Sequence, residues 1–301
     1  MDILSIFSNY TFQIVALGAG MLGIISGVLG SFAVLRKQSL LGDGVSHSAL
    51  PGVVLAFLLT ASKNTEMLLL GALITGVLAT LIILGIVKTT RVKFDAALAL
   101  VLSVFFGVGT VLLTYSQKIP NANQAGLDRF IYGQAASLVL SDIWIIAICG
   151  IALLTVVIIF WKEFKLLSFD IEFAKTIGLP TGKLNILLSF LIVISIIIGL
   201  QTVGVILMSA MLIAPAVAAR QWSNRLSTMV ILSAIFGAVS GVLGTLISSS
   251  MTKLPTGPVI VLCVTIIAVF SVLFAPNRGI IHKIYQRWQN KKKFEQERKM
   301  M

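Results

Sequence analysis

Apolar residues in this chain fall into long uninterrupted runs, and nine of these approach or exceed the length needed to cross a hydrocarbon core of about 30 Å. The runs lie near 12–35, 39–61, 66–87, 94–115, 138–161, 185–200, 202–219, 226–250 and 256–275. The pattern predicts an all-α, polytopic bundle of about nine transmembrane helices. The sixth and seventh runs are the ambiguous ones. Only Gln201 punctuates residues 184–219, so this stretch must form a very tight hairpin or one span plus a re-entrant half, and merging the two leaves eight spans.

Polar positions inside these runs are few, and two share a segment. Gly42 to Gly52 reads Gly-Asp-Gly-Val-Ser-His-Ser-Ala-Leu-Pro-Gly, which puts Asp43 and His47 at i and i+4 on one helix face. A helix entering the membrane near Ser39 carries Asp43 roughly 6 Å and His47 roughly 12 Å deep, at about 1.5 Å per residue. Pro51 has no amide hydrogen for the carbonyl of His47, so the helix should loosen beside the pair. Transporters commonly build ion sites at such breaks. The plainer alternatives are a histidine bonded to a neighbouring carbonyl and an aspartate capping the helix. A charge at mid-helix costs about 2.5–3.5 kcal/mol on insertion scales, which argues against an idle role. Pro215 frees the carbonyl of Met211 in the same way and is a second candidate hinge or gate, or a static kink.

Gly23 and Gly27, and likewise Gly237 and Gly241, form small-x-x-x-small pairs that let helices approach closely. Packing within one subunit is the default expectation for them. The loop from Trp161 to Lys183 is the longest inner connection. Within it Phe169, Phe173 and Ile177 recur every four residues, giving an apolar stripe that must lie on lipid or dock on a partner.

Composition agrees with the pattern. The chain has 301 residues, 57% of them hydrophobic and 11% charged, with mean hydropathy +1.03, whereas soluble domains carry about 25% charge. Charge also orients the bundle. With the N-terminus outside and the C-terminus cytosolic, 19 of the 23 Lys and Arg fall on inner segments, and only Lys63, Lys118, Arg129 and Lys253 fall outside. Topology therefore accounts for most of the net charge of +12, and nucleic acid is not an expected partner. The basic tail from 277 to 301 is read mainly as an inside anchor, with anionic lipid as the lesser reading. The first run is longer than a signal-peptide core and lacks a cationic n-region, so a retained span is expected. Cys149 and Cys263 have no paired spacing and suggest no thiol site. In the outer loop Asp128 and Arg129 read as a solvated pair before they read as a gate. No Gly-x-x-x-x-Gly-Lys-Ser/Thr occurs; the nearest approach, Gly178 to Lys183, is one residue short and is followed by Leu184. The expectation is a transport subunit without its own ATP site, and not an enzyme.

Three ordered segments carry a family resemblance: Gly42–Gly52, the Ser-Phe-Asp-x-Glu-Phe-Ala loop ending in Gly-Leu-Pro, and Gly204–Arg220. Together they resemble the membrane permease of bacterial ATP-binding-cassette importers for manganese, zinc or iron, over about residues 10–276. The resemblance implies a transmembrane permease domain over 1–276 in a bacterial plasma membrane, with residues 162–183 as the coupling loop. It implies cytosolic ATPase subunits docking through Phe169, Asp170, Phe173, Ala174 and Gly178, an extracytoplasmic metal-binding lipoprotein outside, and a second permease copy. Asp43 and His47 match positions that line the metal path, and an oxygen and nitrogen pair suits Mn(II), Fe(II) or Zn(II) better than a soft ion. The divalent ion is then substrate, and no permanently bound cofactor is implied. Gly44 departs from the family's usual larger small residue without removing a ligand.

Two rival functions use the same residues. A cation transporter or channel independent of an ATPase would usually show duplication or several intramembrane charges, and neither is evident. A membrane metalloenzyme would need further ligands and a base, yet Asp43 is the only deep carboxylate. The topology is directly testable. With Cys149 and Cys263 replaced by serine, Gln117→Cys should react with an impermeant thiol reagent added outside intact cells, and Gln289→Cys should not. Labelling of both from outside would sink the nine-span arrangement.

Overall fold

The computed structural model describes residues 9–61, 64–118, 138–251, 254–276 and 278–290 apart from 285 and 288. Lys63, Lys253, the Asp128–Arg129 pair and the tail beyond 290 lie outside the described residues. Every described element is a helix. They are α1 (Tyr10–Leu35), α2 (Leu41–Ser48), α3 (Leu50–Thr60), α4 (Thr65–Thr89), α5 (Phe94–Gln117) and α6 (Leu140–Ile159). Then follow α7 (Trp161–Phe169), α8 (Ile171–Thr176), α9 (Thr181–Val203), α10 (Val205–Trp222), α11 (Leu226–Ser250) and α12 (Thr256–Phe274). In a bilayer each backbone amide and carbonyl needs an internal partner, which these residues find in helix.

Eight segments are long and apolar enough to cross a membrane, with α2 and α3 counted as one. α10 adds 18 residues, about 27 Å at the helical rise. The ambiguous stretch resolves as α9 and α10 joined by the single residue Gly204, whose φ of 88° is one that glycine adopts without strain. α10 returns along α1: Met208 contacts Gly199, itself beside Leu22, while Ala216 and Ala219 pack with Val34 and Leu35. α11 then runs antiparallel to α1, with Ser233 opposite Gly27, Gly237 opposite Gly23 and Gly241 opposite Ala19. α12 turns back from the Ser248–Thr256 contact (3.0 Å). Tyr10 and Phe274 therefore sit at opposite ends of the bundle, as an odd number of crossings requires.

Burial divides the bundle into a centre and a rim. In α1 and across α2–α3, 72% of span residues are buried, against 22% in α5. The glycine pairs belong to the centre. An added Cβ on Gly23 would overlap the carbonyl of Gly237, and one on Gly237 the carbonyl of Gly23. Ser233 Oγ donates to Gly27 O across the same seam at 2.7 Å. Packing within one subunit is thus what these glycines do. At the Leu35 end, buried Phe32 meets Trp161 and Phe164 edge-on, with ring centroids 5.9 and 6.0 Å apart, and this anchors α7 to α1.

Gly23→Val should wedge α1 from α11. Overpacking of this kind costs about 1–3 kcal/mol, so the purified variant should melt at lower temperature, whereas Gly85→Ala, whose Cβ meets nothing within 4 Å, should not. Equal melting of Gly23→Val and wild type would refute the seam.

Candidate functional site

Six of the eight residues of α2 are buried, and the two that are not are Asp43 and His47. Glycines press the helix against its neighbours on other faces. An added Cβ on Gly42 would stand 3.1 Å from Leu212 Cδ2 of α10, and one on Gly44 would stand 2.9 Å from Leu98 Cγ of α5. Gly44, the departure from the family pattern, thus lets α5 approach. The remaining face presents the pair, with Asp43 Oδ1 3.5 Å from His47 Nε2 and side chains 44% and 24% exposed. The N-cap residue of α2 is Leu40, with no side-chain cap, and Asp43 lies in the first turn. The His47 ring meets Phe106 of α5 edge-to-face, centroids 5.0 Å apart at 83°.

The break beside the pair follows from Pro51. α2 ends at Ser48 and α3 begins at Leu50, yet Ala49 keeps helical angles (φ −73°, ψ −25°), its amide donating to Val45 O at 2.9 Å and its carbonyl accepting from Val53 N at 3.1 Å; the acceptor that Pro51 leaves without its i+4 donor is His47 O. Together the two helices count as one span of 20 residues, Leu41–Thr60. Thr75 Oγ1 of α4 lies 3.5 Å from Ala49 O and 3.2 Å from Gly71 O, a side-chain hydroxyl beside carbonyls at the break, as membrane helices often arrange. Leu50 and Pro51 pack on Gly109 of α5. The hydroxyls of Ser46 and Ser48 are buried with no partner, so the polar content of α2 exceeds what its packing uses. Pro215 lies inside α10, three residues beyond Leu212, which touches α2.

The two sides of this site are not equal. One chain offers one carboxylate and one imidazole, and no group of three or more His, Cys, Asp or Glu side chains is found among the described residues. Phe106 was invisible to sequence reasoning because 59 positions of chain separate it from His47 and its run shows no polar signal.

The connection between α6 and α9 has a defined geometry. Asp170 Oδ1 accepts the amide of Phe173 at 2.9 Å and caps α8. The amides of Gly178 and Leu179 donate to the carbonyls of Lys175 and Ala174, at 3.0 and 3.1 Å. That closure is the Schellman turn, and Gly178 takes its left-handed position (φ 82°). Ala174 is buried against the bundle, while Phe169, Phe173 and Ile177 are 58%, 53% and 52% exposed. The stripe seen in the sequence is therefore an outward apolar face, with Asp170, Ala174 and Gly178 shaping and seating the short helix that carries it.

A bundle of this span count with a polar pair at a proline break has the form of a multi-pass membrane transport protein. The chain matches the ABC 3 transport family over residues 8–275 and belongs to it. It is 48% identical over 285 residues to the zinc transport system membrane protein TroC of Treponema pallidum, covering 95% of this chain and 96% of that one. It is 53% identical over 271 residues to the manganese transport system membrane protein MntC of Bacillus subtilis, covering 90% of this chain and 62% of that longer protein. Its fold is similar to that of PsaBC from Streptococcus pneumoniae, solved in complex with a Fab, with TM-score 0.80 and 32% identity over 92% of this chain and 96% of that one. The chain is a multi-pass protein of the bacterial plasma membrane.

Proposed function

We propose that this chain is the permease through which a divalent transition-metal ion enters the cell, driven by ATP hydrolysis on separate cytosolic subunits. Asp43 and His47 are the direct ligands. The observation that carries the reading is their isolation: they alone are unburied in α2, within 3.5 Å of each other. Mn(II) is the first candidate and Zn(II) or Fe(II) the alternatives, since the donor set suits all three and relatives are named for manganese and zinc.

Two ligands are too few for a transition-metal dication, which takes four or more. A second permease copy related by a two-fold axis would double the set, and α5, the least buried span, presents an exposed flank beside His47 for it. An extracytoplasmic lipoprotein would deliver the ion from the Tyr10 end. The ATPase would dock at the other end on Phe169, Phe173 and Ile177. This orientation matches the charge distribution.

Asp43→Asn removes the charge that offsets a dication, and His47→Ala removes a nitrogen ligand. Each should cut radiotracer uptake of manganese or zinc by at least about tenfold, ~1.4 kcal/mol, at equal membrane abundance. Normal uptake by both would mean that the ion passes elsewhere. Phe173→Asp tests the coupling separately: it should release the ATPase subunits on mild detergent extraction while leaving insertion intact. A variant that keeps those subunits and full transport would disprove docking through α8, and uptake that persists without any ATPase would favour a channel.

A further inference from the structure

At the Leu35 end of the bundle, opposite the Tyr10 end, a cleft of about 940 Å³ opens between the α1–α2 turn, the end of α4, the start of α5 and the start of α9. Five cationic side chains line it, Arg36, Lys37, Lys88, Lys175 and Lys183, against one carboxylate, Asp95. Lys175 is already paired with Glu172 at 2.8 Å; the other four cations have no ion pair among the described residues. So much unpaired like charge in one cleft is repulsive unless an anion joins it.

Three local features mark the cleft as a built site. Arg36 Nη2 donates to Asn185 Oδ1, which fixes the guanidinium, while its Nη1 is buried without a partner. Burial pulls that guanidinium down to about 10, which leaves it charged at neutral pH. Gln38 is nine-tenths buried, and its Oε1 is an acceptor with no donor. Lys37 occupies the left-handed position of a Schellman turn, with φ 56°, its amide donating to Val34 O and that of Gln38 to Ala33 O. Glycine is the unstrained residue there. A lysine held at that position places a charge at the cleft mouth against the backbone's preference.

The geometry points to the phosphate-bearing headgroup of an anionic phospholipid as the occupant of this cleft. The cations take the phosphate oxygens, and a headgroup hydroxyl of the glycerol type donates to Gln38 Oε1. The source is settled by the upper wall. Leu81 and Ile186 line the same cleft and are 44% and 46% exposed on the flank of the bundle, which gives an acyl chain a continuous apolar path that a free phosphate would not use. Basic pockets between helices at a cytosolic leaflet bind such lipids. This site is separate from Asp43 and His47 and does not rest on the identity of the transported ion.

The test uses the full chain in phosphatidylcholine nanodiscs containing a minor fraction of phosphatidylglycerol, with retained lipid counted by native mass spectrometry. Wild type should retain phosphatidylglycerol over phosphatidylcholine. The double variant Lys37→Gly, Lys183→Gln should retain it about tenfold less, while melting no lower than wild type in pure phosphatidylcholine because its turn is relieved of strain. Lys88→Gln alone should give an intermediate loss, and Lys165→Gln, which does not line the cleft, should give none. Equal retention by wild type and the double variant would overturn the site. Displacement of the lipid by millimolar inorganic phosphate, or loss in Lys165→Gln equal to that in the cleft variants, would overturn a lipid-specific occupant.

Discussion

Hydrocarbon leaves no donor or acceptor for an unpaired peptide group, and this single constraint shapes both the regular and the irregular parts of the bundle. Where the chain breaks helix inside the membrane it does so at one residue each time, and each break has a local remedy. At Ala49 the helical angles persist, the carbonyl still accepts from Val53 N at 3.1 Å, and Thr75 Oγ1 lies 3.5 Å from it. At Gly204 the amide still donates to Leu200 O and the carbonyl accepts from Met208, at 3.0 and 3.1 Å, so a reversal of direction loses little hydrogen bonding. The glycine seam between α1 and α11 answers a different need. With lipid as apolar as leucine, helices gain little from hydrophobicity alone and rely on close packing, which only the absence of a Cβ permits at Gly23 and Gly237.

That rigid centre makes the exposed pair meaningful. α2 is packed through Gly42 on α10 and through Gly44 on α5, which leaves Asp43 and His47 on the one face of α2 that is not buried. In the proposed importer, side chains carried on a backbone packed against two other helices would move when those helices move. Pro215, just beyond the α10 contact, and Pro51, just beyond the pair, place the two weakest points of helix hydrogen bonding next to the same junction.

Much of this was legible in the sequence. All nine apolar runs correspond to helices, with ends differing by a few residues, because a run of that length in lipid has no alternative structure. Asp43 and His47 stood out for the same reason, as charge or near-charge where apolar residues are the rule. The tight hairpin was one of two readings of 184–219, and the structure joins two helices there through Gly204 alone. What stayed hidden are contacts between distant positions with no periodic signal: Phe106 on His47, Phe32 between Trp161 and Phe164, and Arg36 on Asn185, 149 residues away. The capping roles of Asp170 and Gly178 were similarly concealed, since a family motif marks residues without saying whether they touch a partner or shape the helix that does.

The Leu35 end of the bundle brings the Phe32 and Arg36 contacts together. Phe32 holds α7, Arg36 holds α9 through Asn185, and the Gln38 carbonyl accepts the first amide of α2 at 3.0 Å. These contacts link α7, α9 and α2 through the end of α1, and Gln38 lies five residues before Asp43. The apolar face of α8 is exposed while Ala174 on its other side is buried, so in the proposed importer a partner seated there would bear on a helix that is itself packed on the bundle. In the proposed importer this is the mechanical link between nucleotide turnover and the ligand pair. The cleft lies on the same route, between Lys37 at the end of α1 and Lys183 at the start of α9. An anion bridging those two charges would stiffen the link, and an empty cleft, with like charges facing each other, would favour its separation.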